Sequence, residues 1–146
     1  MAIINPNKKP YKNDENENIF IGIDLPIRRS DGPEGFFYST KTTLEAIKNN
    51  IRSLLLTNNG ERLFQPTLGL NLRKYLFEQM DDDAKGKMKA EIVDKFKFWL
   101  PFVEINDLRV SMSRQDDVGK NQMNIKVIYK VLKNTNALQS VTVKII

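Results

Sequence analysis

The chain contains neither cysteine nor histidine. Without cysteine there is no disulfide, no thiolate metal ligand and no thiol nucleophile, a pattern that fits a chain made in a reducing compartment. The missing histidine excludes more chemistry: Ser–His and Cys–His relays, imidazole metal sites and a histidine general base all go together. No run of about eighteen apolar residues is present, so no helical membrane span is expected. Residues 1–11 lack the apolar core of a cleaved signal peptide, and export by that route is not expected either. The formal net charge is +5, yet Lys and Arg are scattered among Asp and Glu with no basic run longer than two. A nucleic-acid binder usually clusters its cations and interleaves stacking aromatics, and neither feature appears. Nucleic acid and membrane are therefore not expected partners.

What is present is an ordinary globular mixture, with 40% hydrophobic and 28% charged residues in 146. That length allows one domain with a modest core. Residues 1–18 are polar, rich in Asn and Lys, and read as a flexible arm that cannot bury enough to offset its ordering. Residues 19–27 (IFIGIDLPI) read as a short extended segment closed by Pro26, and residues 30–35 (SDGPEG) as a loop. Thr42 and Glu45 match a capping box. Leu44, Ile47, Ile51, Leu54 and Leu55 then share one helical face, and Asn58-Asn59-Gly60 ends the helix. A second short helix is expected over 72–78. A third starts at the acidic turn 81–83, turns Met88, Ile92, Phe96 and Trp99 to one side, and stops before Pro101.

From there the period changes to two. Leu108, Val110 and Met112 alternate with polar neighbours. Met123, Ile125, Val127, Tyr129 and Val131 repeat the pattern, and Val141, Val143 and Ile145 give a third run. Polar linkers at 115–122 and 133–137 separate them, which predicts an antiparallel three-stranded meander. The fold class is thus α+β, with about three helices packed on one face of a C-terminal sheet and an extended arm before them. Order alone leaves the edge of the last strand either covered or open to a strand from another chain.

Candidate chemistry is sparse. Asp81-Asp82-Asp83 with Gly86 invites a calcium loop, but Lys85 and Ile92 stand where oxygen ligands are needed, so a capping turn accounts for it better. Glu61 with an Asp is the one pair worth considering for glycoside hydrolysis of cell wall. Arg62 beside it favours an ionised carboxylate over an acid. No GxxxxGK[ST] or GxGxxG stretch appears, so no cofactor is expected. Residues 59–73 (NGERLFQPTLGLNLR) are too apolar for a plain linker. They read either as a hairpin plugging its own core or as a docking surface. In the second case Glu61, Arg62 and Arg73 set register and Phe64 or Leu68 anchors.

This segment carries a resemblance. The stretch AIKNNIRSLLLTNNGERLFQPTLGLNLRKYLFE (46–78) resembles the baseplate wedge family of contractile phage tails, shared with type VI secretion and related injection machines. Its matching pieces are Ile47-Lys48-Asn49, Thr57 to Gly60, Glu61-Arg62, Pro66 with Gly69 and Leu72, and Leu76-Phe77-Glu78. The resemblance covers about 40–146. One departure is that the family's Glu-Pro-Arg triplet after the third helix reads Leu100-Pro101-Phe102 here, keeping the helix stop but replacing both charges. The resemblance implies a non-enzymatic structural subunit of the virion tail baseplate, assembled in the bacterial host cytoplasm. It implies a division into an arm (1–40) and a wedge domain (41–146). Glu61, Arg62, Phe64, Pro66, Leu68, Gly69, Arg73, Pro101 and Phe102 would face wedge neighbours. The strands of Met123, Ile125, Val127, Tyr129 and Val131, and of Val141, Val143 and Ile145, would pair with tail sheath protein. Tail tube or hub proteins are further candidate neighbours. Members of this family are sometimes called lysozyme-like, a name the residues above do not support.

Overall fold

A computed structural model of the chain describes residues 20–33, 35–78, 81–115, 120–132 and 134–146. The arm expected over 1–18 lies outside the described residues. The chain divides into two compact units, Met1–Asn50 and Ile51–Ile146.

In the first unit two short strands, β1 (Gly22–Ile23) and β2 (Ser39–Thr40), pair antiparallel with Gly22 opposite Thr40 and Ile23 opposite Ser39. An isolated bridge between Arg29 and Phe37 continues the hairpin. The expected extended segment is therefore one limb of a hairpin, and its two-residue partner was too short to show a period. The first α-helix, α1 (Thr43–Leu56), opens with the anticipated capping box. The Glu45 amide donates to Thr42 Oγ1 at 3.2 Å, while the Thr42 amide donates back to Glu45 Oε2 at 3.4 Å. One turn later Asn49, itself buried, donates its side-chain amide to Asp24 Oδ1 at 3.1 Å. Arg28 reaches the other oxygen of that carboxylate at 2.8 Å. Together Arg28 first and Asn49 second hold the Asp24 carboxyl below its usual pKa.

In the second unit α2 (Asp82–Trp99) lies on a sheet of β3 (Val103–Gln115), β4 (Lys120–Val131) and β5 (Asn134–Ile145), ordered β3-β4-β5 and antiparallel throughout. Asp81 caps α2, its carboxylate accepting from the Ala84 amide at 2.8 Å. Met88, Ile92 and Phe96 form the buried stripe, and Leu100 closes the helix ahead of Pro101 as anticipated. On β4 Met123, Ile125, Val127, Tyr129 and Val131 are all at most 4% exposed, so every second residue of the central strand faces the core.

Two expectations need correction. Among the described residues there are two α-helices and not about three; the segment expected as a second helix is a 3₁₀ turn, Leu72–Leu76. Leu72, Tyr75 and Leu76 are buried there, a spacing that a single turn of either helix type produces. The strands also run further than the alternation, because backbone pairing continues through polar residues. β5 starts at Asn134, inside the expected linker, and β3 reaches Gln115. No helix among the described residues is long and apolar enough to cross a membrane.

Candidate functional site: a braced loop and an open strand

The segment after α1 is a built loop. The Leu70 amide donates to the Thr57 carbonyl and the Gly60 amide to the Pro66 carbonyl, each at 2.8 Å, which closes the loop at its base and across its middle. Glu61 turns its carboxylate back onto Asn58, accepting from the Asn58 backbone at 2.9 Å and from its side-chain amide at 2.7 Å. Those two donors, with smaller help from Arg73 and Arg62, lower the Glu61 pKa. The loop is tied outward as well. Asn59 donates to the Asn71 side chain at 3.2 Å, and Lys95 of α2 donates to the Thr67 carbonyl at 2.7 Å. The 3₁₀ turn that follows is pinned to α2 through Glu91, which accepts from Lys74 at 3.1 Å and from Tyr75 at 3.0 Å.

The segment is part core and part surface. Gly69 and Leu70 are buried and plug the core, whereas Leu63 and Phe64 at the tip are 89% and 94% exposed. Of the anticipated residues, Glu61, Arg62, Phe64, Pro66 and Arg73 are exposed and Leu68 is half-buried. Gly69 is interior and presents no surface to a neighbour, because its φ of +105° and contact with the Thr57 backbone serve the loop's own closure. Leu63 was missed, although two adjacent large apolar residues in a Gly- and Pro-flanked loop were the available signal.

Pro101 and Phe102 lie elsewhere, at the corner between α2 and β3. Pro101 lines a groove of about 390 Å³ with Val93, Phe96, Lys97 and Leu132. Phe102 is 39% exposed and Phe98 73%. Phe98 also went unpredicted; it sits off the stripe of Met88, Ile92 and Phe96, and an apolar residue out of helical register was its signal. Arg73 belongs instead to a smaller hollow, lined also by Leu55, Leu72, Lys144 and Ile145.

The strand assignments divide differently. β4 pairs with β3 on one side and β5 on the other, so the strand of Met123–Val131 has no free edge and cannot take a sheath strand. Its alternating side chains are core, which is the very reason their period was so regular. β5, carrying Val141, Val143 and Ile145 inward, pairs only with β4 among the described residues.

The Glu61 carboxyl is fully exposed and held low by Asn58, opposite to what a general acid needs. Among the described residues no group of three or more acidic, histidine or cysteine side chains is placed to hold a metal ion.

Comparison with known proteins gives the geometry its context. No curated protein matches the chain. One similar solved structure is a candidate tail lysozyme from Geobacter sulfurreducens, with 23% identity, covering 71% of this chain and 90% of that one at a TM-score of 0.57. Another is in the baseplate of the anti-feeding prophage, with 18% identity, coverage of 84% and 81%, and a TM-score of 0.55. At such identities these likenesses speak for the fold. The model of the baseplate wedge protein gp25 family matches residues 41–136, a span that holds α1, the braced loop, α2, β3, β4 and the start of β5. With well over half its length matched by that model, the chain belongs to the baseplate wedge protein family and is a structural subunit of a tail baseplate.

Proposed function

We propose that this chain anchors or initiates the sheath of a contractile tail, offering the open edge of β5 to a strand from the first sheath ring. The observation that carries the reading is that edge: β5 is 12 residues long and pairs on one side only among the described residues. A long edge is a template for another chain, since unpaired amides and carbonyls supply affinity and alternate side chains supply register. The braced loop with Leu63 and Phe64, together with Arg62 and Arg73, serves a second contact, to neighbouring wedge proteins. Pro101 and Phe102, with Phe98, give a third that is apolar where the family carries charge. Residues 41–146 act as the wedge domain in this reading, with residues 1–40 as an appended arm, and assembly takes place in the host cytoplasm. Catalysis has no part in it, because the one carboxylate considered for hydrolysis is held ionised by its own loop.

The test is quantitative mass spectrometry of purified particles from the source, with the wild-type chain and with Phe64→Ser. We expect the wild-type chain at a low, fixed ratio to sheath protein. The variant, which removes no core contact, should keep its thermal midpoint and be depleted from particles. Wild-type incorporation of Phe64→Ser would sink the loop's role, and absence of the wild-type chain from intact particles would sink the whole reading.

A further inference from the structure

The far end of the loop after α1 is a β-turn in which the Gln65 amide donates to the Arg62 carbonyl at 3.1 Å. Leu63 and Phe64 are its two central residues. At 89% and 94% they are the most exposed large apolar side chains among the described residues. Central turn positions favour Gly, Pro, Asn, Asp and Ser, so local backbone chemistry does not call for Leu-Phe there. A free loop would let both side chains fall back onto the subunit and leave water. Here both limbs are held instead. On the second limb the Leu68 amide donates to the Gln65 carbonyl at 3.0 Å, and Lys95 of α2 donates to the Thr67 carbonyl at 2.7 Å. On the first limb the hold is Glu61, immediately before the turn. Its Oε2 accepts from the Asn58 backbone amide at 2.9 Å and its Oε1 from the Asn58 side-chain amide at 2.7 Å. Both carboxylate oxygens are thus engaged inside the loop, although the side chain is exposed. Arg62 also reaches back, to Ser53 Oγ at 3.5 Å. The charges of the neck turn toward the subunit, and the apolar pair leads.

We infer that Glu61, paired with Asn58, is a positioning residue for the loop's contact with a neighbouring baseplate chain. It holds the Arg62–Gln65 turn so that Leu63 and Phe64 enter an apolar recess of that chain as a preformed plug. Glu61 itself makes no ion pair across the interface. The inference rests on the loop's proposed role, and it reverses the part the motif suggests for Glu61, a charge facing the neighbour. The physical reason is preorganisation. Side chains already fixed in the bound geometry lose less freedom on docking, and large apolar anchors gain most from it. A carboxylate that already accepts two hydrogen bonds would have to give them up to meet a cation on the partner.

Three variants of the full chain separate these roles: Glu61→Ala, Glu61→Gln and Phe64→Ser. For each, amide exchange is followed in the isolated subunit and the ratio to sheath protein is measured in purified particles. In Glu61→Ala the Asn58 amide should exchange about tenfold faster, and incorporation should fall by about tenfold. Its thermal midpoint should stay near wild type, because the side chain is exposed, so a folding defect cannot mimic the loss. Glu61→Gln removes the charge and keeps the strut. Its Oε1 accepts from the Asn58 backbone amide, and its Nε2 donates to the Asn58 side-chain oxygen once that amide turns over. Incorporation should then stay within about twofold of wild type. Adding Glu61→Ala to Phe64→Ser should lower incorporation no further, since the strut acts only through the tip. A loss with Glu61→Gln as deep as with Glu61→Ala would overturn the inference in favour of an ion pair with the partner. Additive losses in the double variant would also overturn it, as would wild-type incorporation of Glu61→Ala beside a depleted Phe64→Ser; both spare the loop contact. Wild-type incorporation of Phe64→Ser would overturn the loop contact and the inference together.

Discussion

Gly60 and Gly69 have similar backbone geometry, with φ of +89° and +105°, yet they differ in what a side chain would meet. A Cβ at Gly60 would point into open space, so Gly60→Ala should cost only the left-handed strain, about 1 kcal/mol. A Cβ at Gly69 would fall on the Thr57 carbonyl, the same group that accepts the Leu70 amide at 2.8 Å. The backbone would have to separate and break that bond, so Gly69→Ala should cost about 2–3 kcal/mol. Urea unfolding followed by the fluorescence of the single tryptophan would rank the two. Equal losses would mean that the loop closes without the Thr57–Leu70 contact. Glu61 shows what a residue-level reading of sequence can miss. An ionised carboxylate is what the adjacent Arg62 predicts, and ionised is what the geometry favours. The main cause, however, is the Asn58 backbone and side chain three positions back, while the Arg62 guanidinium extends to Ser53 Oγ at 3.5 Å. Chain neighbours in a turn seldom face each other, and only the turn geometry says which donors do.

At the scale of elements, helix boundaries were readable because their chemistry is local. The Thr42–Glu45 box and the Asp81 cap each lie within four residues of what they satisfy. Asp81→Ala should therefore remove about 1 kcal/mol of stability and fray the first turn of α2. Amide exchange at Ala84 would report this directly; unchanged exchange there would show that the cap is dispensable. The core faces were equally legible, since Met88, Ile92 and Phe96 on α2 and the odd-numbered residues of β4 repeat with the periods of their elements. Where the local signal is degenerate, the reading failed. One turn of 3₁₀ helix buries Leu72, Tyr75 and Leu76 just as one turn of α-helix would, and only the length of the segment separates them. Strand ends were invisible for a different reason. The pairing of Val131 with Asn134 depends on backbone groups that every residue carries, so a polar stretch can extend a strand without any alternation. Strand order was legible, because a meander of three runs puts the middle one at the centre, as the order β3-β4-β5 shows. What was not drawn from it is that this central strand, with the most regular pattern, has no free edge.

For the whole molecule, that distinction between the central strand and its neighbour becomes a measurable asymmetry. From Met123 to Tyr129 β4 has partners on both β3 and β5, whereas β5 has a partner on one side only among the described residues. In an edge strand about half of the amides have no partner within the sheet. Hydrogen exchange of the isolated subunit should therefore show near-uniform protection over Met123–Tyr129 of β4 and mixed protection along β5, the slow half reporting the β4–β5 ladder. When a sheath strand adds to that edge, the exposed half acquires carbonyl partners, and exchange from β5 should slow by about tenfold or more in assembled particles, with β4 little changed. Particles that contain the chain but in which β5 exchanges as in the free subunit would remove the sheath strand from β5.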